Sequence, residues 1–247
     1  MITGGSSGIG LACGRLLSQR DYEVVLSARR PEPLEQAARQ IGARWVAADS
    51  ADETAFARVV AEAGRVDLLI HAAGVMDGTF VRKETLETFD RVMRTNLRSA
   101  FVVTAAVLPV MAPGGRIIFL SSSAAHAPQP GKTAYTASKA GLNAFAAALT
   151  GEVDRDGIAV HVVTPAPVDT PMLDDVHFPM RALDAEDVAA AIVWLDQLPP
   201  SVVLPELRLS AAEQGPFAPD PVVPPAAQAL GRTTGSARGP GVRSEHA

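Results

Sequence analysis

The chain is poor in the residues that mark several large classes of protein. Its 247 residues hold a single cysteine, Cys13. No internal disulfide can form, which suits a reducing compartment and makes the cytoplasm the expected site of action. Basic residues are not in excess. Lys and Arg number 22 against 27 Asp and Glu, a formal net charge of −5, without the basic stripe that nucleic-acid binders carry. No stretch approaches the roughly 18 to 20 unbroken apolar residues of a membrane helix. The opening MITGGSSGIG has neither the basic start nor the apolar run of a secretory signal. Neither nucleic acid nor membrane is therefore an expected partner.

What remains is the composition of an ordinary globular protein, 47% hydrophobic and 20% charged. Short apolar runs at 23–27, 44–47, 66–71, 116–120, 159–164 and 203–209 alternate with segments of helical period at 9–20, 33–41, 54–63, 84–111, 133–154 and 185–197. Several runs are apolar on both faces, as strands inside a parallel sheet must be. The alternation predicts an α/β fold, a doubly wound parallel sheet of Rossmann type with helices on both faces. Asp184 is a candidate N-cap for the last helix, with Glu186 and Asp187 in its first turn. Residues 1–210 read as one domain. Residues 211–247, rich in Pro, Gly and Ala, read as a mostly disordered tail.

The sequence Thr3–Gly10, TGGSSGIG, forms a glycine-rich turn leading into a small-residue helix. Glycine allows close backbone approach to a pyrophosphate, and free N–H groups at the helix start face the phosphates. Only Met1 and Ile2 precede this turn, where a strand of about five residues is expected. The first strand therefore reads as truncated, and a start placed too late is the favoured explanation.

The segment SSSAAHAPQPGKTAYTASK holds the chemistry. Tyr135 and Lys139 are four apart on one helix face. An ammonium beside a phenol favours the phenolate and is expected to lower its pKa from about 10, toward the range useful for acid/base catalysis. Ser122, at the end of a strand, can donate a hydrogen bond to a substrate oxygen as charge develops there. His71, His126 and His161 have no partner ligands nearby in sequence, so no metal site is expected.

Together, TGxxxGxG, the serine thirteen residues before the tyrosine, and YxxxK resemble the short-chain dehydrogenase/reductase family. The resemblance spans roughly residues 1–210. It implies catalysis by Asn96, Ser122, Tyr135 and Lys139, with Asn96 kinking its helix and holding a water in a proton relay with the lysine. It implies cofactor contacts from Thr3, Gly4, Ser6, Ser7, Gly8, Ile9 and Gly10; from Asp49, at the adenine amino group, and Ser50; from Ala72, Ala73 and Gly74; from Tyr135 and Lys139; and from Pro165, Val168 and Thr170. Two departures stand out. His71 replaces the usual asparagine of NAAG, leaving that loop's hydrogen bonding open. Ala166 replaces a glycine in the stretch before Thr170, at a cost of about 1 kcal/mol if that position needs positive φ.

The second strand ends LSARRPEP. Ala28 stands where an NAD user carries Asp or Glu for the ribose 2′-OH. Arg29 and Arg30 follow, and a guanidinium matches a 2′-phosphate in charge and fork geometry, so NADP(H) is expected over NAD(H). The reading is therefore hydride transfer between NADP(H) and a small carbonyl or alcohol, with Tyr135 as acid/base. The alternative is a non-catalytic dinucleotide sensor on the same fold. An epimerase of the related extended branch ranks last, because only about a dozen residues separate Met172 from the final helix. The short stretch at 173–180 suggests a small or open substrate site. Arg181 is a weak candidate for a charged anchor. The family's habit of assembling as homodimers or homotetramers points to helices beginning near Glu84 and Thr133, through Phe101, Val102, Val107, Phe145, Ala146 and Leu149.

Overall fold

The computed structural model describes residues 1–173, 181–199 and 202–212. The sequence reading of 211–247 as a tail, and of 173–180 as a short cover over the site, falls almost wholly outside the described residues.

The strands are β1 (Ile2–Thr3), β2 (Val25–Ala28), β3 (Arg44–Ala47), β4 (Val66–His71), β5 (Met111–Leu120), β6 (Ala159–Pro165), β7 (Val168–Asp169), β8 (Leu183–Asp184) and β9 (Glu206–Leu209). The helices are α1 (Gly8–Ser18), α2 (Pro31–Ile41), α3 (Glu53–Ala63), α4 (Leu86–Met93), α5 (Ser99–Val107), α6 (Thr133–Val153) and α7 (Ala185–Asp196). Seven strands form one parallel sheet in the order β3-β2-β1-β4-β5-β6-β9, and β7 pairs separately with β8.

The period-2 pattern of the strands divides the core between two faces. Ile2, Leu26, Ile70, Ile118 and Val163 turn toward α1, α2 and α7. Leu69, Ile117, Phe119, Val160 and Val162 turn toward α3, α5 and α6. Such a two-sided sheet holds ligands at its carboxyl edge, where the strand order reverses. Here that point lies between β1 and β4.

β1 is only two residues long, yet it is paired on both sides: Ile2 with Leu26 and Ile70, Thr3 with Ser27 and His71. The Met1 amino group donates to the Leu68 carbonyl at 2.7 Å, and burial drives that amine down to about 5.

The predicted helix over 84–111 is three pieces. Thr85 caps α4 by accepting from the Thr88 N–H, a π-helical turn spans Arg94–Arg98, and α5 ends before a 3-10 turn containing Pro109. Met111 instead begins β5, bridging to Val66 across a bulge. Asp184 occupies the α7 N-cap without a side-chain capping bond. Ala166 is buried and donates its N–H to the Leu209 carbonyl. Asp21 is the one non-glycine residue with positive φ among the described residues, so the alanine at 166 carries no left-handed strain.

Candidate active site

The glycine-rich turn wraps over the switch point. Gly4 has φ +69, and a Cβ there would lie 2.8 Å from the Ala72 and Ala73 backbone. At Gly10 a Cβ would lie 2.4 Å from the Gly4 carbonyl oxygen. Both positions therefore require glycine. Gly8 comes against Thr170, whose Cγ2 would be 3.1 Å from a Cβ on it. The turn thus meets the β4 loop on one side and the segment after β6 on the other. Ser7, at the α1 N-cap, makes no side-chain capping bond, and the first turn of α1 holds no acidic residue. Its free N–H groups and dipole are available to an anion, which fits a dinucleotide's diphosphate.

His71 settles how the β4 loop is held. It is fully buried, with Nδ1 2.9 Å from Thr3 Oγ1 and Nε2 3.1 Å from Ser99 Oγ. The Ser99 hydroxyl donates to the Thr95 carbonyl, so it must accept from Nε2–H, and Nδ1 accepts from Thr3. Burial pushes the imidazole down to about 3, with the Lys139 charge acting in the same direction, so the ring is neutral. Thr3 Oγ1 in turn receives the Ala73 N–H at 3.3 Å. Imidazole thus joins the glycine-rich turn to the first residue of α5, whose hydroxyl is bonded back to Thr95 in the π-helical turn.

That π-turn presents Asn96. Its Oδ1 accepts from the Val75 N–H at 2.8 Å, and Nδ2 donates to the Val75 carbonyl and to Ser138 Oγ, both at 2.9 Å. Both amide protons are engaged, so a relay to the lysine would not run through them. Asn96 Oδ1 and Lys139 Nζ both face Gly74, each 3.5 Å from where its Cβ would be.

Lys139 is buried, donates to the Leu120 carbonyl at 2.7 Å, and lies 6.0 Å from the centre of the Tyr135 ring. Burial lowers its pKa to about 8. Tyr135 is itself buried. The sequence-based expectation of a lowered phenol pKa is not met in the chain alone: burial raises it, and the Ser122 hydroxyl pulls the other way. Desolvation wins because the ammonium is held by Leu120 rather than against the phenol oxygen.

The remaining residues lie along the same edge. Asp49 accepts from the Ala51 N–H and from Arg94. Burial raises its pKa, but hydrogen bonds from Arg94 and Ala51 and the charges of Arg94 and Arg29 bring it below the ordinary value. It does not cap α3, since Asp52 does that by accepting from Ala55. Ser50 is buried beside it. Arg29 and Arg30 are exposed, and neither makes an ion pair or side-chain hydrogen bond among the described residues. Pro165 closes β6, Val168 opens β7, and Thr170 Oγ1 donates to the Val168 carbonyl. Arg181 is exposed and donates to the Ala212 carbonyl.

The model of the short chain dehydrogenase family matches residues 1–179. The chain belongs to the short-chain dehydrogenase/reductase family. It is 34% identical over 218 residues to an acetoacetyl-CoA reductase of Cupriavidus necator, covering 78% of this chain and 88% of that protein. It is 34% identical over 215 residues to a 3-oxoacyl-[acyl-carrier-protein] reductase of Bos taurus, covering 80% and 90%. A short chain dehydrogenase from Burkholderia cenocepacia J2315, solved in complex with NADP, superposes with a TM-score of 0.77 at 29% identity, covering 85% and 95%.

Within this oxidoreductase family member, sequence reasoning missed three partners of the residues it named. Arg94 holds Asp49, Ser138 holds Asn96, and Ser99 completes the contacts of His71. Arg94 and Ser99 flank Asn96, and Ser138 precedes Lys139. Proximity in sequence was the available signal, but only the fold shows the pairing. No helix of the described residues is long and apolar enough to cross a membrane, and no group of three metal-ligating side chains occurs among them.

Proposed function

We propose that the chain reduces the carbonyl of a small substrate with NADP(H), Tyr135 acting as the acid. The observation that carries this reading is the convergence of Ser122, Tyr135 and Lys139 beside the β4 loop that Asn96 holds. When bound, NADPH would supply the hydride. The Tyr135 hydroxyl donates its proton to the carbonyl oxygen, and the Ser122 hydroxyl donates a hydrogen bond to that oxygen as it becomes alkoxide-like. Ser122 Oγ already accepts from the Ala124 N–H, so its proton, which favours the Tyr135 phenolate in the chain alone, is the one it would turn to the substrate oxygen. The buried Lys139 ammonium, with its pKa at about 8, favours the phenolate left behind and can exchange a proton near neutral pH. Asn96 acts by fixing Val75 and, through Ser138, the first turns of α6. Substrates of the 3-oxoacyl thioester type come first for testing, because two relatives are named as reductases of that class.

The glycine-rich turn, Ala72, Ala73 and Gly74, and the Pro165, Val168 and Thr170 segment would hold the dinucleotide, with Asp49 and Ser50 at its adenine end. The exposed Arg29 and Arg30 would hold the 2′-phosphate. The catalytic domain is read as residues 1–210, working in the cytoplasm as a homodimer or homotetramer. Of the apolar residues expected at the subunit contact, Val102, Val107, Ala146 and Leu149 are buried in the core and Phe145 packs edge-on against Phe119. The exposed face is Phe101 with Leu86 and Phe89.

Steady-state turnover of 3-oxoacyl thioesters and small ketones with NADPH and NADH tests the reading. NADPH is expected to be preferred by at least about tenfold in kcat/KM, and Arg29→Ala with Arg30→Ala to remove most of that preference. A preference for NADH would contradict the cofactor assignment. Nucleotide binding without any turnover would favour the sensor.

A further inference from the structure

Beyond the catalytic group, a second polar cluster lies where the carboxyl ends of β5 and β6 meet the edge strand β9. Its centre is the Glu206 carboxylate on the last strand. Oε1 receives Thr164 Oγ1 of β6 at 2.7 Å and lies 2.5 Å from His126 Nε2, while Oε2 receives Arg208 at 3.0 Å. Arg208 can only donate, and its NH2 approaches His126 Nδ1 at 3.4 Å. Nδ1 therefore accepts, and Nε2 carries the proton that goes to Glu206. Asn143 Nδ2, 3.3 Å from the same Nε2, is then a packing neighbour rather than a donor to it. Burial pushes the Glu206 carboxyl up, but the bonds from Arg208, Thr164 and His126 overcome this and hold it at about 2. Glu206 neutralises Arg208, so the cluster is ill suited to capturing an anionic substrate group.

Its placement indicates another use. His126 ends the short 3-10 turn that begins at Ser122, whose bonds are Ala124 N–H to Ser122 Oγ, Ala125 N–H to Ser122 O and His126 N–H to Ser123 O. On the other side, Ser121 Oγ donates to Asn143 Oδ1 of α6 at 2.5 Å, one helical turn beyond Lys139. The peptide carrying Ser122 is thus tied to α6 by the residue before it and to β9 by the residue four after it. We infer that His126 and Glu206 are positioning residues, whose bond clamps this turn to the edge of the sheet and sets where the Ser122 hydroxyl meets the substrate oxygen. This rests on the catalytic role proposed for Ser122.

The test compares the full-length wild type with His126→Leu, which loses the donor, and His126→Gln, whose Nε2 can reach the same carboxylate. Two readouts are taken: hydrogen exchange at individual amides, which needs no turnover, and steady-state kinetics. In His126→Leu the amides of Ala124, Ala125 and His126 are expected to exchange at least about tenfold faster, with those of Leu11 and Ile70 unchanged. The kcat is expected to fall about tenfold with NADPH affinity within about twofold of wild type. His126→Gln should recover most of both. Unchanged exchange and kcat in His126→Leu would overturn the clamp, as would a loss that His126→Gln fails to recover or one that appears in NADPH affinity. An inactive wild type whose exchange still responds in this way would overturn the reductase reading while supporting the clamp.

Discussion

At the scale of single residues, the site is built from buried polar groups whose protonation is set by desolvation. Lys139 shows the consequence most clearly. Its pKa falls from 10.5 to about 8 on folding. The unfolded chain therefore binds the proton more tightly between those values, and stability rises with pH across that window. Below about pH 8 the cost is fully present, about 3 kcal/mol. Lys139→Met removes it and loses one hydrogen bond to Leu120, worth about 1 kcal/mol. The variant is expected to melt several degrees higher than wild type at pH 7, with the gap closing toward pH 10.5, and to lose turnover. Calorimetry over that range checks it, and a lower melting temperature at pH 7 would contradict it. The i,i+4 spacing of Tyr135 and Lys139 made this pair legible in the sequence. Its electrostatics were not legible, because the direction of the phenol's shift depends on Leu120 holding the ammonium and on the depth of burial. The role of His71 was equally hidden, since its partners lie 68 and 28 residues away.

At the scale of elements, the π-turn that carries Asn96 is fastened from several directions. Arg94 bonds Asp49, Arg98 donates to the Ala51 carbonyl at 2.8 Å, and Ser99 connects to His71. An extra residue in a helical turn is often placed at a functional site. Arg94 and Asp49 are both partly exposed, so their pair is worth no more than about 1 kcal/mol. Arg94→Leu is accordingly expected to raise the KM for NADPH less than about fivefold and to leave kcat nearly unchanged. Steady-state kinetics at saturating substrate measures both, and a drop in kcat beyond about tenfold would mean that the pair also fixes Asn96. Helix periodicity gave most element positions correctly, and the family resemblance implied a kink at Asn96. It could not reveal the π-turn, because one inserted residue leaves an apolar pattern nearly intact. The start of β5 at Met111 was hidden too, since its bridge to Val66 across a bulge is a tertiary feature. Pro205 trims the start of β9 from the apolar run at 203–209.

At the scale of the whole molecule, the alternation of strand and helix was enough to indicate a two-sided parallel sheet, because strands covered by helices on both faces must be apolar on both. Strand order, and with it the meeting of residues 121, 126, 143, 164 and 206, depends on crossovers that no local pattern encodes. The outer face of α4 and α5 leaves Leu86 81% and Phe101 62% exposed, where a charged or polar side chain would be expected on a monomer. Changing both to aspartate is expected to reduce the mass measured by light scattering to that of a smaller assembly, without unfolding the chain. A wild type that is already monomeric would contradict the assembly proposed.

The central claim is tested most directly by measuring nicotinamide oxidation and NADPH binding side by side for wild type and Tyr135→Phe. The account predicts that the variant binds NADPH with nearly wild-type affinity and turns over at least about a thousandfold more slowly. Turnover by the phenylalanine variant within about tenfold of wild type would contradict it.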